Sequence, residues 1–244
     1  MGNTYSLDKD AYVLIFHHNQ FKNTGMNRQG DEKDVERLKV FFDNYKAKTE
    51  FKANQTVKNV KETMRMTKEM DFSNYSCLIM IIMSHGKKHG IIEAYDGTYD
   101  FENDVVELIL ANNTLKNKPK LFFVQSCKGD GRMEIDSTSY TTNKNDILKC
   151  FSAYEGTVSY RDPNTGSIFI QKLFNLIDSN PNKEIRELMN MLRDELVSEK
   201  IPQAPTDTST LTKKFYFSAL KKKSVGMMVS SISATFLALL WLWL

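Results

Sequence analysis

The sequence predicts an α/β fold with a mostly parallel central sheet covered by helices on both faces. Two observations carry this. Short runs of continuous apolar, β-forming residues suit strands buried on both sides. Amphipathic helical stripes lie between them, and strand–helix–strand alternation is the pattern of crossover connections.

Taken in order, residues 12–16 (Tyr-Val-Leu-Ile-Phe) give the first strand. Val35, Leu38, Phe42 and Tyr45 share one face of a helix over 33–47, and Val57, Val60 and Met64 mark a second over 56–70. Residues 77–83 form the second strand. Val105, Leu108 and Ile109 mark a shorter helix, and residues 121–124, entered by Pro119, give the third strand. Residues 129–146 are polar, hold two glycines and show no apolar period, so they read as a linker. Residues 147–160 look strand-like. One later helix carries Phe169, Leu173, Leu176 and Ile177, and another carries Ile185, Leu188, Leu192 and Leu196. Residues 215–217 (Phe-Tyr-Phe) supply a final strand.

The 244 residues are 41% apolar and 26% charged, an ordinary globular composition. With 33 basic against 30 acidic residues, scattered along the chain, nucleic acid is not an expected partner. The three cysteines, Cys77, Cys127 and Cys150, form no Cys-x-x-Cys pair, which argues against a zinc site or a disulfide framework. No secretory signal opens the chain.

Two strands end in reactive residues. The second runs into Met83-Ser84-His85-Gly86 and the third into Gln125-Ser126-Cys127-Lys128-Gly129. The carboxyl ends of parallel strands are where open α/β sheets place their sites. His85 and Cys127 therefore fall on one edge, and a thiol beside an imidazole suits nucleophilic catalysis. Position alone favours an inert buried cysteine and a hydrogen-bonded histidine over that chemistry.

The flanking residues decide between these. Gln125-Ser-Cys-Lys-Gly129 resembles the caspase signature Gln-Ala-Cys-Arg-Gly. Ser84-His85-Gly86 resembles that family's Ser-His-Gly, residues 21–30 its early loop ending in Arg-x-Gly, and Ser159-Tyr160-Arg161 its Ser-Trp-Arg. Residues 166–170 and 211–217 fit its small-subunit pattern. The resemblance runs from 11 to 218 in the family's order.

The resemblance implies a caspase-like three-layer sandwich, its sheet extended across a homodimer through residues 215–217. It implies a short N-terminal segment (1–10), a large-subunit-like region (11–128), an intersubunit linker (129–146) and a small-subunit-like region (147–220), with a basic and apolar tail at 221–244. The short leading segment is similar to that of executioner-type caspases. The activity implied is a cysteine endopeptidase cutting after aspartate, in programmed cell death or related signalling, without cofactor or metal. Cys127 would be the nucleophile, His85 its acid–base partner, and the N–H groups of Gly86 and Cys127 the oxyanion hole. Arg28, Gln125 and Arg161 would hold the substrate aspartate, with Ser159 and Tyr160 beside them. The implied partners are protein substrates with aspartate at the cut site and an upstream or regulatory caspase.

Departures from the family pattern bear on specificity and activity. Ser126 and Lys128 replace Ala and Arg beside the nucleophile, and Tyr160 and Ile168 stand where tryptophans are common. The loop between Val197 and Leu211 is short. These changes leave open a catalytically impaired homologue that regulates another caspase, although the full residue set speaks against it. A nucleotide-binding α/β protein lacks its expected Gly-rich loop after the first strand.

Maturation by cleavage is expected after Asp136, with Asp130 and Asp146 as weaker candidates. Gly2 with Ser6 fits N-myristoylation. Residues 227–244 are 18 residues without a charge, behind Lys221, Lys222 and Lys223. A spanning helix needs roughly 20 apolar residues, with about 17 as the lower end. The expected location is cytoplasmic, with membrane association through 227–244.

Overall fold

The computed structural model describes residues 3–126, 144–154, 157 and 159–222. In chain order they form β1 (Asp10–His17), α1 (Asp31–Asp43), β2 (Ala47–Ala53), α2 (Val57–Glu69), β3 (Tyr75–Met83), the hairpin of β4 (Ile91–Ala94) and β5 (Gly97–Asp100), and α3 (Glu107–Leu110), which continues a π turn at Glu102–Val106. Then follow β6 (Lys120–Gln125), β7 (Ile147–Phe151), the short ladder of β8 (Arg161–Asp162) and β9 (Gly166–Ser167), α4 (Ile168–Ser179), α5 (Ile185–Ser198) and β10 (Thr206–Ser209).

Six strands make the central sheet in the order β10-β7-β6-β3-β1-β2. All pairs are parallel except β10 with β7. Alternate residues of β1 enter opposite cores. Val13 and Ile15 pack with Leu38, Phe41, Leu173 and Leu188, so α1, α4 and α5 cover one face. Tyr12, Leu14 and Phe16 pack with Val60, Met64 and Ile109, so α2 and α3 cover the other. This two-sided burial is why the β1 and β3 sequences are continuously apolar. The expected three-layer sandwich is the fold observed.

The differences from expectation lie mostly where strands are polar. α1 stops at Asp43, and Tyr45, expected on that helix, instead bridges Lys221. Residues 47–53 then form β2, an edge strand whose lysines and glutamate deter further pairing. β7 ends at Phe151 rather than running on to 160.

Residues 215–217 are not a strand of the sheet. Tyr216 makes a single antiparallel bridge with Glu184, while Phe215 and Phe217 are buried 5.2 Å apart in the core below α1. The open edge on this side is β10, so the sheet cannot extend across a dimer through 215–217. Two phenylalanines flanking a tyrosine satisfy the strand pattern and do share one core, but the backbone here finds only the single bridge to Glu184 and no continuing ladder.

Both ends of the described chain are tied in. Thr4 bridges Lys214, Tyr5 and Leu7 are buried, and Lys222 N–H donates to the Asn44 carbonyl. Asp146, placed in the linker by its sequence, is 5% exposed. Its carboxylate accepts from Tyr5 Oη at 2.6 Å and Thr212 Oγ1 at 2.5 Å.

Candidate active site

β3 and β6 are neighbours with Met83 opposite Gln125, so the chain leaves both strands at the same sheet edge. Ser84 N–H donates to the Gln125 carbonyl at 3.1 Å, and Ser84 Oγ donates to the Glu93 carbonyl at 2.7 Å. These bonds carry the chain past β3 into His85.

His85 is half-buried. Its Nε2 lies 2.8 Å from the Met26 carbonyl oxygen, and the Phe21 ring sits 5.3 Å away. Burial pushes its pKa below the ordinary imidazole value; Arg28 and Arg161 push the same way, against the Met26 carbonyl and Glu93. The imidazole is therefore held neutral and oriented. Beyond it, Gly86 forms a bridge with Ile92 whose hydrogen bonds come from Lys87 N–H and Glu93 N–H. In that antiparallel pattern the Gly86 N–H points away from β4.

Arg28 and Arg161 come from different elements and are brought together by backbone contact. Arg28 is buried, and its Nη1 donates to the His18 carbonyl at 2.7 Å and reaches Asp31 Oδ1 at 3.4 Å. Asp31, fully buried, also meets His17 Nδ1 at 2.7 Å. Arg161 Nε donates to the Gln29 carbonyl at 2.6 Å. Between the two arginines Gly30 adopts φ 84°, and a Cβ there would stand 2.5 Å from the Asp162 carbonyl oxygen. Only glycine permits both the backbone angle and the approach. Asp34, one turn into α1, accepts from Ser167 N–H and Oγ and from Gln171 Nε2, which clamps α1 to the β8–β9 ladder.

Gln125 completes the wall. Its Nε2 donates to Ser159 Oγ at 2.6 Å, and its Oε1 is buried with no hydrogen-bond partner among the described residues. Arg28, Ser84, His85, Gln125, Ser126, Ser159 and Arg161 together line a cavity of about 150 Å³. Of the described residues that sequence assigned to the active site, Gly86 and Tyr160 stand outside this lining. Tyr160 stands at the surface, 38% exposed, with its N–H on Gln203 Oε1. Cys127 and Asp136 lie outside the described residues, as do Gly2 and the stretch 227–244. Ser126, the residue before Cys127, is fixed: its N–H donates to Ser152 Oγ, which donates back to the Ser126 carbonyl.

Some contributors have no sequence signal. Gln203 spans the Tyr160 N–H and the Ser152 carbonyl from a polar stretch, and Met26 acts through its backbone oxygen. Asp31 and Asp34 are acidic residues in a helical first turn, a common placement that marks no site.

Comparison with known proteins agrees with this geometry. The family model for the caspase domain matches residues 10–216. Caspase-1 of Drosophila melanogaster is 30% identical over 188 residues, covering 70% of this chain and 58% of the fly protein. Caspase-3 of Mesocricetus auratus is 29% identical over 250 residues, covering 89% and 88%. The crystal structure of caspase-1 from Spodoptera frugiperda superposes with a TM-score of 0.77 at 25% identity, covering 91% of this chain and 94% of that one. With the domain model matched across most of its length, the chain belongs to the caspase family of cysteine peptidases.

Proposed function

We propose that this protein cleaves peptide bonds after aspartate, with Cys127 and His85 as the reacting pair. The observation that carries the reading is the small cavity beside His85, walled by two guanidinium groups and the Gln125 amide. A carboxylate is the ligand that planar cationic donors suit. The volume of about 150 Å³ suits one short side chain.

In this reading Cys127 Sγ attacks the carbonyl carbon after the aspartate. His85 first takes the Cys127 thiol proton, so that the thiolate attacks; as the C–N bond breaks, the imidazolium gives that proton to the leaving amine. The imidazole then takes a proton from the water that attacks the thioester and returns it to the departing Cys127 thiolate. The N–H groups of Gly86 and Cys127 receive the oxyanion. Arg28, Gln125 and Arg161 bind the substrate carboxylate, with Ser159 positioning Gln125 and Tyr160 offering an exposed ring to the preceding substrate residues.

Residues 11–128 and 147–220 act as large- and small-subunit regions joined by a linker that is cut after Asp136. Asp130 remains a lesser candidate. Asp146 is disfavoured because Tyr5 and Thr212 occupy its carboxylate. Homodimers form by extending the sheet at the β10 edge. Among the described residues no helix is long and apolar enough to cross a membrane. Membrane association of a cytoplasmic enzyme, linked to cell-death proteolysis, would come from 227–244, aided by acylation of Gly2.

The deciding experiment compares cleavage of peptides that differ only in aspartate, asparagine or glutamate at the cut site, by the wild type and Cys127→Ala. Cleavage confined to the aspartate peptide and lost in the variant supports the reading. No cleavage by the wild type favours a regulatory homologue instead.

A further inference from the structure

We infer that the end of the sheet opposite the active site is a docking face for an anionic lipid bilayer, which holds the catalytic edge outward. The inference rests on the proposed membrane association of 227–244 and adds to it a surface and an orientation.

The parallel strands all begin at this end, where the chain enters them through Lys9, Lys46 and Lys118. Lys116, Lys213, Lys214, Lys221 and Lys222 lie there as well. Thr4 bridges Lys214, Lys221 bridges Tyr45 just ahead of β2, and Lys46 Nζ meets the carbonyls of Leu7 and Asp8. None of these eight lysines forms an ion pair within 4 Å among the described residues. Several instead point their ammonium groups at backbone carbonyls, as Lys9 does at Ser73 and Lys222 at Asp43. The exposed carboxylates at this end are Asp8, Asp10, Asp43 and Asp71, together with Glu69 and Glu187, which are paired with Lys68 and Lys183. The face is thus basic in a chain that is otherwise nearly balanced, and basic residues near an anionic leaflet attract it.

The position of the chain ends names the occupant. The described chain begins at residue 3, beside Lys214 and Asp146 under β7, and ends at residue 222, beside Asn44 under β2. Both lie at this end of the sheet, four strands apart, or about 19 Å. The uncharged run 227–244 starts only five residues after 222. A bilayer reached by that run meets the lysines first. His85 is at the other end of β3, whose eight steps of about 3.3 Å span roughly 26 Å. Substrate access is then unobstructed by lipid.

The test uses the full chain and vesicles of phosphatidylcholine alone or with phosphatidylserine. Cys77 and Cys150 are fully buried and burial pushes their thiols up, so a thiol-reactive fluorophore goes to Cys127. A second sample carries the label at Lys213→Cys in a Cys127→Ala background. With an acceptor in the lipid, energy transfer at 213 should exceed that at 127 severalfold. Flotation with phosphatidylserine should fall at least fivefold when Lys213, Lys214, Lys221 and Lys222 are all changed to Glu, and be unchanged by Lys88→Glu near the catalytic edge. Equal transfer at both labels, or flotation indifferent to lipid charge and to the reversals, overturns the docking face while leaving anchoring by the tail intact. Failure to float on either vesicle overturns both.

Discussion

Gly30 approaches Asp162 so closely that a single added methyl group would stand 2.5 Å from its carbonyl oxygen. That contact sets the loop of Arg28 against the strand of Arg161. Gly30→Ala would add left-handed backbone strain, about 1–3 kcal/mol, and push the two arginines apart. Both the melting temperature and kcat/KM should fall. Gly25→Ala is the control, because its Cβ would meet only Asn23 Oδ1 at 3.3 Å. Equal behaviour of the two variants would show that the approach is unimportant.

The two arginines should differ when removed. Arg161→Ala should lower kcat/KM for an aspartate peptide by about 3 kcal/mol, roughly a hundredfold, with little change in melting temperature. Arg28 also holds the His18 carbonyl and faces Asp31, so Arg28→Ala should lose activity and stability together. Kinetics and thermal melts on both variants check this; an Arg161→Ala enzyme at wild-type rate removes Arg161 from the pocket.

His18 should weaken the fold in acid. It is fully buried, with neither ring nitrogen hydrogen-bonded among the described residues. Burial, helped by His17 and Arg28 and opposed by Asp31, pulls its pKa from 6.5 to about 4. The folded-state pKa is depressed, so below about 6.5 the unfolded chain takes up a proton that the folded chain refuses. Stability therefore declines as pH falls from about 6.5 to about 4, by at most about 3 kcal/mol from this residue. Denaturant titrations of the wild type and His18→Phe at pH 7 and 4.5 measure it. The variant should lose less between the two pH values.

Mass spectrometry of the active enzyme should find the linker cut after Asp136 and the 145–147 segment intact. Tyr5→Phe removes one of the two hydroxyls on Asp146 and should make cutting there detectable. Fragments ending at Asp146 in the wild type would contradict the protection.

What the sequence reveals follows from how each element is buried. β1, β3 and β6 are covered on both faces, so their apolar runs are unmistakable. β2 and β10 are edges with polar residues, and Thr206-Asp-Thr-Ser209 carries no apolar signal. The β4–β5 hairpin turns through Tyr95 and Asp96, with Gly97 already paired to Ala94, so its turn lacks the central glycine that marks a tight hairpin in sequence. His85, Gln125 and Arg161 are legible through motifs, because their side chains line the cavity. The contributions of Met26 and Gln29 are backbone carbonyls, which almost any residue supplies, so no side-chain pattern betrays them.

The clasp of Tyr5, Asp146 and Thr212 joins three distant stretches of chain, and one core contains Val13 and Ile81 together with Leu148, Leu173 and Phe215. The segment between residues 126 and 144 therefore joins two halves that already share their interior. A nicked molecule should elute as one particle, melt in one transition and fall into two bands only in denaturant. The halves, made as separate polypeptides, should complement each other in trans, with the continuous chain serving chiefly to raise the concentration at which they meet.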